Sequence, residues 1–126
     1  MPATAKSLLT DTELELMLIL WRLKEASVRQ VLDALPSSRQ MAYTSASTII
    51  RILEKKGFVG SRKQGKGHIY FPLLDKDEYE SRTLGHVVGR LFDNTPASLV
   101  ARLVSDNRLS EAEITEIRKI LDKGEK

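Results

Sequence analysis

Between positions 14 and 23 the chain is apolar almost without interruption: Leu14, Leu16, Met17, Leu18, Ile19, Leu20, Trp21 and Leu23. A stretch that is apolar all round predicts a central helix over about residues 11–23, packed on more than one side, with Trp21 in the core. A short second helix is expected over 28–35, ended by Pro36-Ser37-Ser38. A third is expected over 44–56. There Ala46, Ile49, Ile50 and Leu53 recur at i, i+3, i+4 and i+7, the spacing of a core-facing stripe. Thr44 is its expected cap, and Gly57 suits the position just past its end.

Beyond Gly57 the period changes. Phe58 to Lys63 and His68 to Phe71 read as two short strands, and Gln64-Gly65-Lys66-Gly67 as the tip between them. Three helices followed by a hairpin form a winged helix, a variant of helix-turn-helix. The remaining residues predict three more helices, over about 76–92, 96–105 and 111–122. The helix starts carry a common signature, an N-cap oxygen with a Glu or Gln three residues on: Thr10 with Glu13, Ser27 with Gln30, Ser110 with Glu113, and Asp75 with Glu78 as the acidic variant. The fold expected is therefore mainly α with a small β-hairpin wing, in two domains: a winged-helix domain over 1–74 and a helical domain over 75–126.

The 126 residues contain no cysteine, which removes disulfides and thiolate metal sites. No run approaches a membrane span, and the N-terminus lacks a secretory pattern, so the expectation is a cytoplasmic protein without membrane insertion. The net charge of +3 is unevenly spread. Residues 39–68 hold seven basic side chains (Arg39, Arg51, Lys55, Lys56, Arg62, Lys63, Lys66) against Glu54 alone. Such a local field attracts polyanions, nucleic acid first among them, although a solvated basic face has the same composition.

Position separates the two. On the third helix Thr44, Thr48, Arg51 and Lys55 fall opposite the core stripe, with Ser45 and Ser47 flanking them. Small hydroxyls let a backbone approach the major groove, and an Arg further along forks onto guanine O6 and N7. Arg62, Lys63 and Lys66 sit where a wing follows neighbouring phosphates. Tyr43 either touches the DNA backbone through its hydroxyl or packs the turn. The sites expected for DNA are thus Tyr43, Thr44, Ser45, Ser47, Thr48, Arg51, Lys55, Arg62, Lys63 and Lys66.

These pieces, in this order, resemble the penicillinase-repressor and methicillin-repressor family (BlaI/MecI), which also includes copper-operon repressors. The likeness rests on Leu9 to Met17 with Leu20-Trp21, on Ser27 to Val31, and on Ala42 to Ser45 with Thr48. It continues through Leu53 to Gly57, Tyr70 with Pro72, and Leu109 to Ile114. The resemblance implies a winged-helix reader, a helical dimerisation domain, and repression at palindromic operators. In the best-known members a membrane sensor responds to β-lactam, and the repressor is cut between an Asn and a Phe. The corresponding pair here, counted from Ser98-Leu99-Val100, is Arg102-Leu103, so a sensor protease pathway is a partner only as far as that pair is cleaved. The cysteine cluster of copper-responsive members is absent.

The function expected is a homodimeric DNA-binding repressor without cofactor or metal, whose partners are double-stranded operator DNA and a second copy of itself. Its dimer seam would comprise Leu84, Val87, Val88, Leu91 and Phe92, then Leu99, Val100 and Leu103, then Ile114, Ile117 and Leu121. The alternative is a winged-helix protein-interaction module that never reads DNA. His68 reads as a strand residue and His86 as a packed or interface one, and the acids at 111, 113 and 116 suit a capped helix start. With no P-loop, nucleophile elbow or dinucleotide fingerprint, nothing in the chain points to catalysis.

Overall fold

The computed structural model describes residues 8–124, with the order α1 (Asp11–Leu23), α2 (Val28–Asp33), α3 (Tyr43–Lys55), β1 (Val59–Gln64), β2 (Gly67–Pro72), α4 (Lys76–Leu91), α5 (Pro96–Ser105) and α6 (Glu111–Gly124). Two compact units divide between Thr83 and Leu84, inside α4, rather than after Leu74, two residues past the end of β2.

The reason lies in Tyr79, which is buried in the first unit. Its ring lies 5.8 Å from that of Trp21 and edge-on to Phe58 at 5.9 Å. Its hydroxyl accepts a hydrogen bond from the Leu9 N–H at 2.9 Å. The first turns of α4 therefore complete the winged-helix core. Trp21 is half-buried, and its indole N–H donates to the Leu74 carbonyl at 2.8 Å, a bond that holds the ring near the edge of the core.

That core is built from Leu16, Met17 and Leu20 of α1, Val31 of α2, Ala46, Ile50 and Leu53 of α3, and Phe58, Val59 and Tyr70 around the hairpin. Of the stripe expected on α3, Ile49 is half-buried and the other three are fully enclosed. Gly57 ends α3 with a φ of 87°, a left-handed conformation that only glycine adopts without strain. There Phe58 N–H donates to the Leu53 carbonyl and Gly57 N–H to that of Glu54, the paired closure of a Schellman turn. This turn drops Phe58, wholly buried, into the core, where such a side chain contributes about 2–3 kcal/mol.

The strands pair antiparallel from Val59 opposite Pro72 to Gln64 opposite Gly67, so only Gly65-Lys66 forms the tip. Gly65, at a φ of 61°, takes the first central position, where a II′ turn places glycine. Ala26 exchanges both backbone bonds with Tyr70, at 2.9 and 2.8 Å, and so ties the start of α2 to the wing.

Three of the four capping boxes form reciprocally, at Thr10, Ser27 and Ser110. At the fourth, Glu78 instead accepts from Arg82 one turn on. Glu13 carries a second duty. Both its carboxylate oxygens accept from the Lys56 ammonium at 2.9 Å, which joins the start of α1 to the end of α3. Burial pushes its carboxyl up, but the bonds from Lys56 and Thr10 together with the Lys56 charge outweigh burial and hold it below the usual carboxylate range.

The second unit contains the rest of α4 with α5 and α6. Asp93 and Asn94, both at positive φ, turn the chain after α4, and Pro96 opens α5 at its first turn. Asn107 N–H donates to Val104 and Arg108 N–H to Leu103, which closes α5 with another Schellman turn. No residue of α5 or α6 is buried. Among the described residues, no helix is long and apolar enough to cross a membrane.

Candidate nucleic-acid interface

Because Ala46, Ile50 and Leu53 anchor α3 in the core, helical geometry turns Thr44, Thr48, Arg51 and Lys55 outward. Thr44, Thr48 and Arg51 are exposed, as is Ser45, while Ser47 is half-buried. The helix begins one residue earlier than expected. Its N-cap is Ala42, not Thr44, and no side chain bonds to the first turn. Thr44 is inside the helix, so its hydroxyl is not spent on a cap, and the first-turn N–H groups keep their donors for an anion.

Tyr43 opens the helix half exposed, with the Arg29 guanidinium carbon 5.4 Å from its ring centroid. A groove of about 560 Å³ runs between α2, α3 and the hairpin. Its cations are Arg29, Arg51 and Lys66, with Ser47, Gln64 and His68 between them. Arg29 escaped the sequence reading. Burial of Val28 and Val31 turns Arg29 outward, and the meeting of α2 with the hairpin brings it into the groove.

The basic run divides in the folded chain. Arg39 pairs with Glu15 at 2.8 Å, Lys56 with Glu13 at 2.9 Å, and Arg62 forks onto Glu25 at 2.9 and 3.1 Å. The bonds from Arg62 hold the Glu25 carboxyl below its ordinary range. Arg51, Lys55, Lys63 and Lys66 enter no ion pair among the described residues. Strand alternation also places Arg62 and Lys63 on opposite faces of the hairpin, opposite Ile69 and His68 respectively. The His68 and Tyr70 rings stack at 6.3 Å.

In the second unit, Leu84, Leu91, Val100 and Leu121 are exposed, Leu91 by 73% and Leu121 by 66%. Val87, Phe92, Leu99, Leu103, Ile114 and Ile117 are half-buried, and Val88 alone of the expected seam is buried. Arg102 is exposed, 3.9 Å from Asp106, and both it and Leu103 lie within α5.

A three-helix core with an open polar helix face and a basic hairpin beside it defines a winged helix of the DNA-binding class. The penicillinase repressor family model matches residues 9–123, and the chain belongs to that family. It is 30% identical over 115 residues to the methicillin resistance regulatory protein MecI of Mammaliicoccus sciuri, covering 91% of this chain and 94% of that one. It is 26% identical over 114 residues to the penicillinase repressor of Bacillus licheniformis, covering 90% and 89%. The solution structure of the DNA-binding domain of the repressor BlaI matches 56% of this chain and 87% of its own, at 27% identity and a TM-score of 0.51. This is a DNA-binding transcriptional repressor and not an enzyme.

Proposed function

We propose that the chain acts as a homodimer on a palindromic operator, placing α3 of each protomer in successive major grooves about 34 Å apart. The observation that carries this reading is the groove between α3 and the wing, lined together by Ser47 and Arg51 of the helix and Lys66 of the hairpin tip. Arg51 reads a base. Tyr43, Thr44, Ser45, Ser47 and Thr48 divide between bases and phosphates, and Lys55, Lys63 and Lys66 hold the backbone, joined by Arg62 when it leaves Glu25. The apolar side chains of residues 84–121 meet their symmetry mates, and occupancy of the operator excludes polymerase by bulk.

Arg51→Ala should lose about 1–3 kcal/mol of binding and relax preference at one base position in each half-site. Lys66→Ala should weaken all sequences alike and flatten the salt dependence by about 0.9 in slope for each phosphate it no longer neutralises. Gel shifts across a salt series on selected duplexes distinguish the two. Full affinity and unchanged preference in Arg51→Ala would remove α3 as the reader.

The Arg102–Leu103 bond lies within a hydrogen-bonded helix, and its residues are not an Asn-Phe pair. A sensor protease specific for Asn-Phe is therefore expected to leave the repressor intact. Mass spectrometry after incubation with such a protease tests this, and a clean cut between 102 and 103 would overturn it.

A further inference from the structure

The two flanks of α3 differ in chemistry. Tyr43, Ser47 and Arg51 line the cationic groove towards the wing. On the opposite flank, Thr44, Ser45, Thr48 and Ile49 line a shallow depression of their own, without a charged side chain among them. Ile52, one turn beyond Thr48, is 40% exposed beside it. Ile49 packs one side against the core and turns the other to this depression, while Thr44, Ser45, Thr48 and Ile52 are exposed and the buried stripe is filled by Ala46, Ile50 and Leu53.

We infer that this flank is a seat for thymine, recognising the C5-methyl group in the major groove through the Thr48 methyl, Ile49 and Ile52. The inference rests on the reading of α3 as the helix that enters the groove. It follows from what the groove offers. Base edges there present hydrogen-bond donors and acceptors throughout, and the one apolar group among the four bases is the thymine methyl. Ser and Thr hydroxyls donate or accept equally and so discriminate little between bases, whereas an apolar surface continuous with them favours the methyl over any polar edge. The helix thus carries two readers side by side: a cation for guanine on one flank, and an apolar seat for thymine on the other.

The test uses the full chain and an approximately 30-base-pair duplex selected by the protein from a random pool, resynthesised with deoxyuridine for thymidine at one position at a time. Deoxyuridine keeps every hydrogen-bonding edge and lacks only the methyl. One thymine per half-site should emerge whose replacement lowers affinity about fourfold, the factor for losing one buried methyl, and about fifteenfold when both half-sites are changed. Thr48→Ser and Ile52→Ala, both exposed positions whose folding is checked by thermal melting, should bind the two duplexes with little difference. Arg51→Ala should bind both more weakly yet keep the thymidine preference. Equal binding of both duplexes by the wild type, with Arg51→Ala still weakened, would overturn the seat and leave α3 as the reader. A thymidine preference that survives undiminished in both Thr48→Ser and Ile52→Ala would overturn it as well. Binding unaffected in all three variants would overturn the reading of α3 itself.

Discussion

Cut after Thr83, the chain is expected to fold, to stay monomeric, and to bind a palindromic duplex about 10²–10⁴-fold more weakly than the full-length protein. The first unit contains its whole core, from Leu16 to Tyr79, within that length. What it lacks are the apolar faces of α5 and α6, on which no side chain is fully buried within one chain and Val100, Val104, Ile120 and Leu121 are exposed. Leucine, isoleucine and valine left in water at such positions gain about 25 cal/mol for each Å² that a symmetry mate covers. A dimer so formed makes binding to the second half-site intramolecular, which is the source of the expected factor. Sedimentation and gel shift on the two lengths decide the matter. A monomeric full-length protein, or a fragment with undiminished affinity, would end the dimer reading. The cut must fall after Thr83. Ending at Leu74 removes Tyr79, leaves the Leu9 N–H without its acceptor, and opens the space between Trp21 and Phe58, a loss of about 3 kcal/mol or more by analogy with deleting a core aromatic.

Glu13→Ala should lower folding stability by about 2–4 kcal/mol, measured by denaturant unfolding. Two losses combine. The Thr10 N–H loses the Glu13 oxygen that completes the capping box, and the Lys56 ammonium loses its partner at the edge of the core. Glu13→Gln keeps an acceptor for Thr10 and removes only the charge, so it should retain about half the stability difference. The wild type should show the same interaction as acid sensitivity. A carboxyl held below its unfolded value contributes stability that is complete above the unfolded pKa, near 4.5, and is lost as pH falls through the folded one. Unfolding midpoints from pH 7 down to 3 should therefore fall less steeply in Glu13→Gln than in the wild type. Parallel curves would show that the charge contributes nothing.

Local features of the fold were legible in the sequence. The capping boxes at Thr10, Ser27 and Ser110 and the glycine closing α3 are written within a few neighbouring residues, and the structure has all of them. Long-range features were not legible. The Tyr79 hydroxyl meets a backbone N–H 70 residues away, so a helix start that looked like the beginning of a new domain belongs to the first core. The ion pairs Arg39–Glu15, Lys56–Glu13 and Arg62–Glu25 span 24, 43 and 37 residues, so counting cations along residues 39–68 overstated the free charge. The outward face of α3 followed from period alone. Arg29 did not, because its place in the groove depends on α2 meeting the hairpin through Ala26 and Tyr70.

Ala42 places function and robustness in opposition. α1 and α2 each begin on a side-chain cap, whereas α3, the proposed reader, begins on a methyl group. Aspartate or serine at position 42 would strengthen the helix by about 1 kcal/mol. It would also saturate donors suited to phosphate, and aspartate would add a negative charge at the start of the helix proposed to enter the groove. A repressor selected for heat resistance through this position would grow sturdier while losing its grip on the operator.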